Sequence, residues 1–172
     1  MNLCRAVAAK QAMYLASKGY KVFAIDYFGT GDSEGELIDG TTSIWQQDIV
    51  DVVFWIKSQG IESIDLWAIR AGCLFAFAAL ADIQSQIHCE RMLLWKPVLS
   101  GKLFMTQFLR LKQVNAMINA GEKTNWRKKL LDEGSLEIAG YHIAKELYES
   151  IEGMSIPRDI NQQVHVSCME LA

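Results

Sequence analysis

Blocks of apolar residues recur along the chain with changing period, and the periods define its elements. Cys4 to Ser17 is rich in alanine and other good helix formers, and Gly19 follows where a helix stops. Tyr20 to Asp26 is a short apolar run with β-branched and aromatic residues, which predicts a strand buried on both faces. It empties into Tyr27-Phe28-Gly29-Thr30-Gly31-Asp32-Ser33-Glu34-Gly35, a loop that its glycines make possible. Ser43-Ile44-Trp45-Gln46 has the spacing of a capping box. Trp45, Ile49, Val52, Val53 and Ile56 then form one stripe of an amphipathic helix, with Asp48 and Asp51 on its wet side, ending at Gly60. Ser63 to Trp67 predicts a second strand, Gly72 to Gln84 a deeply buried helix, and Arg91 to Trp95 a third strand. Strands alternating with helices at short spacing predict an α/β fold with a mainly parallel sheet and right-handed crossovers.

After Pro97 the periods change. Phe104, Phe108, Leu111 and Ile118 mark a long helix, and Thr124 is placed to cap a short one ending at Gly134. Ser135 to Ala139 alternates like a short strand, Ala144, Leu147, Tyr148 and Ile151 form another stripe, and Val164 to Met169 suits a fourth sheet strand. The expected organisation is a core over residues 1–98, a mainly helical cap over 99–155, and a return strand of the core within 156–172.

Composition narrows the class. The chain has 172 residues, 51% of them apolar, which suits one domain burying roughly 70% of its unfolded surface. With 17 Lys+Arg against 20 Asp+Glu, the net charge of −3 gives no global attraction to nucleic acid. The longest uncharged apolar run, Ala71 to Ala81, is 11 residues, too short to span a bilayer. Lys10 interrupts the apolar stretch after Arg5, so the N-terminus does not read as a secretory signal. Cys4, Cys73, Cys89 and Cys168 have neither zinc-ligand nor disulfide spacing, so free thiols in a reducing cytoplasm are expected. No metal or cofactor is expected: Gly29-Thr30-Gly31 follows a strand but does not open a helix, so it is no phosphate cradle.

Two segments carry a family resemblance. Gly19 through Gly35 resembles the strand and G-x-G-x-S-x-G loop of α/β-hydrolases, and Ile64-Asp65-Leu66-Trp67-Ala68-Ile69-Arg70-Ala71-Gly72 falls where that fold has its nucleophile elbow. Leu94-Trp95-Lys96-Pro97-Val98-Leu99-Ser100-Gly101-Lys102, Gln107-Phe108-Leu109-Arg110 and Glu137-Ile138-Ala139-Gly140-Tyr141 resemble the exosortase A system-associated hydrolases of the second type. The resemblance runs from about Lys10 to the end of the chain. It implies a cytosolic bacterial protein acting on ester or acyl bonds beside export or exopolysaccharide machinery. It also implies that a strand and oxyanion loop precede this chain, that an acid and a histidine follow it, and that a strand is missing between Tyr20–Asp26 and Ser63–Trp67. Either those two strands pair directly here, or the chain is a fragment of a longer polypeptide, which is the favoured expectation.

The departures from that pattern define the candidate site. Ala68 stands for the first elbow glycine and Arg70 for the nucleophile. A guanidinium stays protonated and cannot attack a carbonyl. Arg70 reads either as folded back onto a carboxylate such as Asp26, or as an anion-binding group at the carboxyl edge of the sheet. A cation at a helix N-terminus opposes the macrodipole unless an anion lies between them. With Lys96 ending the neighbouring strand, the pair is expected to bracket a carboxylate or phosphate of a small-molecule ligand. Asp26 reads as a site carboxylate or as the organiser of its own turn, and Gln107 and Arg110 as cleft-lining residues or as part of a cap packed on the sheet. Ser33 reads as a loop hydroxyl bonded to nearby backbone. Cys73 reads as packing, or as a low-pKa thiol that would rescue catalysis. His88, His142 and His165 have no metal-like spacing. Two functions follow: an ester or acyl hydrolase by resemblance, without a recognisable serine nucleophile or triad; and a non-catalytic binding or scaffold domain that holds an anionic group through Arg70.

Overall fold

The computed structural model describes residues 3–120, 124–157 and 165–169. Helix α1 (Leu3–Ser17) is followed by a segment without regular secondary structure, the glycine loop and a 3-10 turn at Leu37–Asp39. Then come α2 (Thr42–Ser58), β1 (Ser63–Ile69), α3 (Gly72–Ala78), α4 (Leu80–Gln86) and β2 (His88–Trp95). Next are α5 (Gly101–Ala120), α6 (Trp126–Glu133), β3 (Ser135–Ile138), β4 (Tyr141–Ala144) and α7 (Lys145–Glu152), before β5 (His165–Met169). The fold is α/β: a parallel sheet in the order β1-β2-β5, flanked by helices, with β3 and β4 as a separate antiparallel pair.

Alternation along the strands divides the sheet into two faces. On one, Leu66 lies beside Met92 and Ala68 beside Leu94. Met92, Leu94 and Ala68 join Leu74, Leu80 and Ile83 of α3 and α4, and Ile49, Val53 and Ile56 of α2, in one buried cluster. On the other face the Asp65 carboxylate takes two hydrogen bonds from the Arg91 guanidinium (3.0 and 2.7 Å), and Trp67 stacks on Trp95 at 5.6 Å.

Several sequence expectations are corrected. Tyr20–Asp26 has no regular secondary structure and belongs to no sheet, and much of it is exposed, with Phe23 resting edge-on against Trp55. A strand exists only through a neighbour's hydrogen bonds, and β1 pairs with β2 on one edge alone. Thr41, not Ser43, caps α2, its hydroxyl accepting from the Ile44 N–H at 3.2 Å. Asp48 is half-buried and accepts the Phe28 N–H at 2.8 Å, holding the glycine loop rather than facing water. The helix from Gly72 is broken at Ala79 into α3 and α4. Asn125 rather than Thr124 caps α6, its side chain accepting from Lys128 N–H at 3.0 Å. Leu111 faces outward, whereas Phe104 and Phe108 pack against the core; the side chain of Ile118 and residue Val164 lie outside the described residues.

The stretch between β2 and β5 is closed on itself at its base. Gly101 N–H donates to Met154 O (2.9 Å) and Ile156 N–H to Leu99 O (3.0 Å), closing the start of α5 against the segment after α7. A Cβ on Gly101 would collide with the Ile151 carbonyl, so only glycine admits this approach. β3 and β4 are joined through Ala139 and Gly140, both left-handed (φ +53° and +86°), which suits the twist of a two-residue hairpin.

Candidate functional site

Two parallel strands end in the same manner. Arg70 directly follows β1 and has φ +54°; Lys96 directly follows β2 and has φ +46°. Left-handed backbone costs an ordinary L-residue about 1–2 kcal/mol, so each position is held by its surroundings. Arg70 N–H donates to Trp95 O at 3.0 Å, and its carbonyl accepts from Cys73 N–H and Val98 N–H, each at 3.2 Å. Lys96 N–H donates to Met169 O at 2.8 Å. The hydrogen bonds of three adjacent strand ends thus impose the bends, and Arg70 sits on a sharp strand-to-helix corner opening α3.

Both side chains are exposed. Among the described residues neither forms an ion pair, so Arg70 is not folded back onto Asp26. Asp26 is occupied elsewhere: it accepts from the Arg5 guanidinium at 2.6 Å and from Asp32 N–H at 3.1 Å, and its carboxylate fills the space a Cβ on Gly31 would need. The Ser33 hydroxyl donates to the Asp26 carbonyl at 2.5 Å. These two residues therefore build the glycine loop, as the turn-organising reading of each anticipated.

The corner also receives a residue that the sequence reading did not select. Tyr27 stacks on Trp45 at 5.6 Å and meets Phe75 edge-on at 5.8 Å. Its hydroxyl lies 4.0 Å from where a Cβ on Gly72 would stand. Burial, reinforced by Asp48 and Cys73, pushes its pKa up to about 12, so the phenol keeps its proton and stays a donor. Its position as the first residue of the glycine loop was the available signal. Cys73, one turn into the buried helix, has its thiol pushed up to about 12, chiefly by burial, the reverse of a low-pKa nucleophile.

Gln107 and Arg110 are exposed on α5, and no hydrogen bond or ion pair joins either to Arg70 or Lys96 among the described residues. His88 and His165 lie at the opposite ends of their strands from the corner, and His142 is exposed on β4. Among the described residues no group of three or more His, Cys, Asp or Glu is placed to hold a metal. Around the Arg70 bend the described residues place a guanidinium, the protonated Tyr27 phenol and the start of α3, groups that can donate to an anion; among them the Cys73 thiol is not activated.

No curated protein matches the chain. A family model described as acyl transferase, of a family related to the α/β-hydrolase fold, matches residues 5–90. That span is half of the chain, running from α1 through the glycine loop and the Arg70 corner into β2. The chain belongs to this acyl transferase family.

Proposed function

We propose that this chain binds an acyl compound through a carboxylate or phosphate group at the Arg70 corner, without cleaving it there. The observation that carries the reading is a left-handed, exposed Arg70 with no carboxylate partner among the described residues, at the strand-to-helix bend of an acyl transferase-family fold. Strain retained at a specific residue points to a site. Arg70 supplies a planar fork for an anion and Lys96 a compact second charge. The Tyr27 hydroxyl and the Ala71 and Gly72 N–H groups add donors. Hydrolysis needs an attacking atom at this bend, and neither a guanidinium nor the buried Cys73 thiol provides one.

In this reading residues 99–155 form a cap on a core of residues 1–98, and 156–172 contain the core's return strand. The narrower sequence resemblance extends the proposal to a bacterial cytosolic protein serving an exosortase-type export system. Thermal unfolding with hexanoate, succinate or inorganic phosphate, alongside a chromogenic short-chain ester assay, tests the reading. The expected result is stabilisation by at least one anion, lost in Arg70→Ala, with no ester turnover. Turnover that survives Arg70→Ala and disappears in Cys73→Ser would overturn it in favour of a hydrolase.

A further inference from the structure

We propose that the corner selects ligands ending in a phosphate monoester, with Lys96 reading the second negative charge; this rests on Arg70 binding an anion and narrows the ligand to one class. Register fixes the spacing. Ile69 and Trp95 are partners in the β1-β2 pair, so Arg70 and Lys96 leave the sheet side by side, with backbones about 5 Å apart. Both residues are left-handed, and the bend at Lys96 is opposed twice: Pro97 follows, and a residue before proline is steered toward extended backbone. Two hydrogen bonds bracket Lys96 and hold it against residue 70. Arg70 N–H donates to Trp95 O at 3.0 Å, and Val98 N–H donates to Arg70 O at 3.2 Å. A third, from Lys96 N–H to Met169 O at 2.8 Å, ties it to β5. Glycine would relieve the strain at both bends, yet a cation stands at each.

Charge and oxygen count then select the ligand. Like charges side by side repel unless something neutralises them. The chain has 20 Asp+Glu, yet among the described residues no carboxylate forms an ion pair with either side chain. Both side chains are exposed, so a ligand can reach them. A carboxylate brings one charge and two oxygens, and a guanidinium fork occupies both oxygens, leaving the ammonium unanswered. A phosphate monoester is close to doubly charged above about pH 7 and has three terminal oxygens. Two of them suit the planar Arg70 fork and the third suits the compact Lys96 ammonium, so the group matches the pair in charge and in contacts. Phosphodiesters and sulfate esters share the tetrahedral shape but carry a single charge, and match the pair only in part.

Isothermal titration calorimetry of the full chain at about pH 8 with hexyl phosphate, hexyl sulfate and hexanoate separates charge from shape. Hexyl phosphate is expected to bind about tenfold tighter than either of the others. Lys96→Gln should erase that preference, Lys96→Arg should retain it, and Arg70→Gln should weaken all three ligands. Lys57→Gln, in the last turn of α2 before β1 begins, removes the same charge away from the corner and should change none of the affinities. Circular dichroism verifies that the variants fold. Equal affinity for hexyl phosphate and hexyl sulfate, or a preference that survives Lys96→Gln, overturns the proposal while leaving Arg70 as an anion-binding residue. Binding that ignores Arg70→Gln, or no binding of any of the three, overturns both.

Discussion

Replacing Arg70 with glycine separates a strained binding residue from a structural one. At φ +54° an arginine bears about 1–2 kcal/mol of left-handed strain that glycine does not. Glycine loses about 0.5–1 kcal/mol more backbone entropy on folding, so the net gain is about 0.5–1 kcal/mol. No ion pair is broken among the described residues, and the backbone hydrogen bonds of residue 70 do not depend on its side chain. Arg70→Gly is therefore expected to raise the melting temperature by about 2 °C, while Arg70→Ala, which keeps the strain, leaves it nearly unchanged. Differential scanning calorimetry with urea denaturation on the three proteins measures the difference. A loss of more than about 1 kcal/mol in both variants would refute the reasoning, because it would mean that the guanidinium supports the fold.

Four further outcomes follow from the structure. Gly31→Ala should destabilise by about 2 kcal/mol or more in chemical denaturation, since φ is +59° and the new Cβ meets the Asp26 carboxylate. Alkaline stability should fall as pH rises from about 10 to about 12, because Tyr27 keeps its proton when folded and releases it more readily when unfolded; Tyr27→Phe should reduce that slope in melts across this range. Glu152, held below its usual carboxylate range first by its hydrogen bond from Arg127, contributes stability above the unfolded carboxylate pKa that fades as acid protonates it; Arg127→Met should shrink this acid-side loss. In the native protein Cys168 should alkylate well before Cys73 or Cys89, whose thiols burial pushes up to about 12 and about 11, as peptide mass spectrometry of timed iodoacetamide labelling reads out.

The sequence carried the parts of the fold that local period and local chemistry determine. The 3.6-residue stripe placed Trp45, Ile49, Val52, Val53 and Ile56 on the inner face; four are buried, and Val52 packs half-buried against the core. The runs at Ser63–Trp67 and Arg91–Trp95 located two of the parallel strands, although both strands extend beyond them. Arg70 was singled out because the resemblance to α/β-hydrolases put it at the position of their nucleophile elbow, and a left-handed corner stands there.

What failed depended on distant partners. Nothing within Tyr20–Asp26 states whether a neighbouring strand will supply hydrogen bonds, so a β-rich segment became an unpaired one. The periodicity of α5 showed an apolar stripe but not which stripe faces inward, since the helix has two; Leu111, Gln107 and Arg110 fell on the outer one. β4 was missed because Tyr141–Ala144 is short, and its Ala139-Gly140 turn lacks the usual Asn or Asp. Tyr27 was passed over because tyrosine in a glycine loop is unremarkable until Trp45 and Phe75 aim its ring at α3.

The decisive experiment is a nuclear magnetic resonance titration of the backbone amides with inorganic phosphate and with hexanoate. If the corner holds an anion, the Ala71 and Gly72 amides and the Arg70 side-chain resonances shift together and saturably, and the amide shifts vanish in Arg70→Gly although that variant is folded. Amides that stay fixed at every concentration, or that move equally without the guanidinium, would contradict the assignment of Arg70 as the anion-binding group.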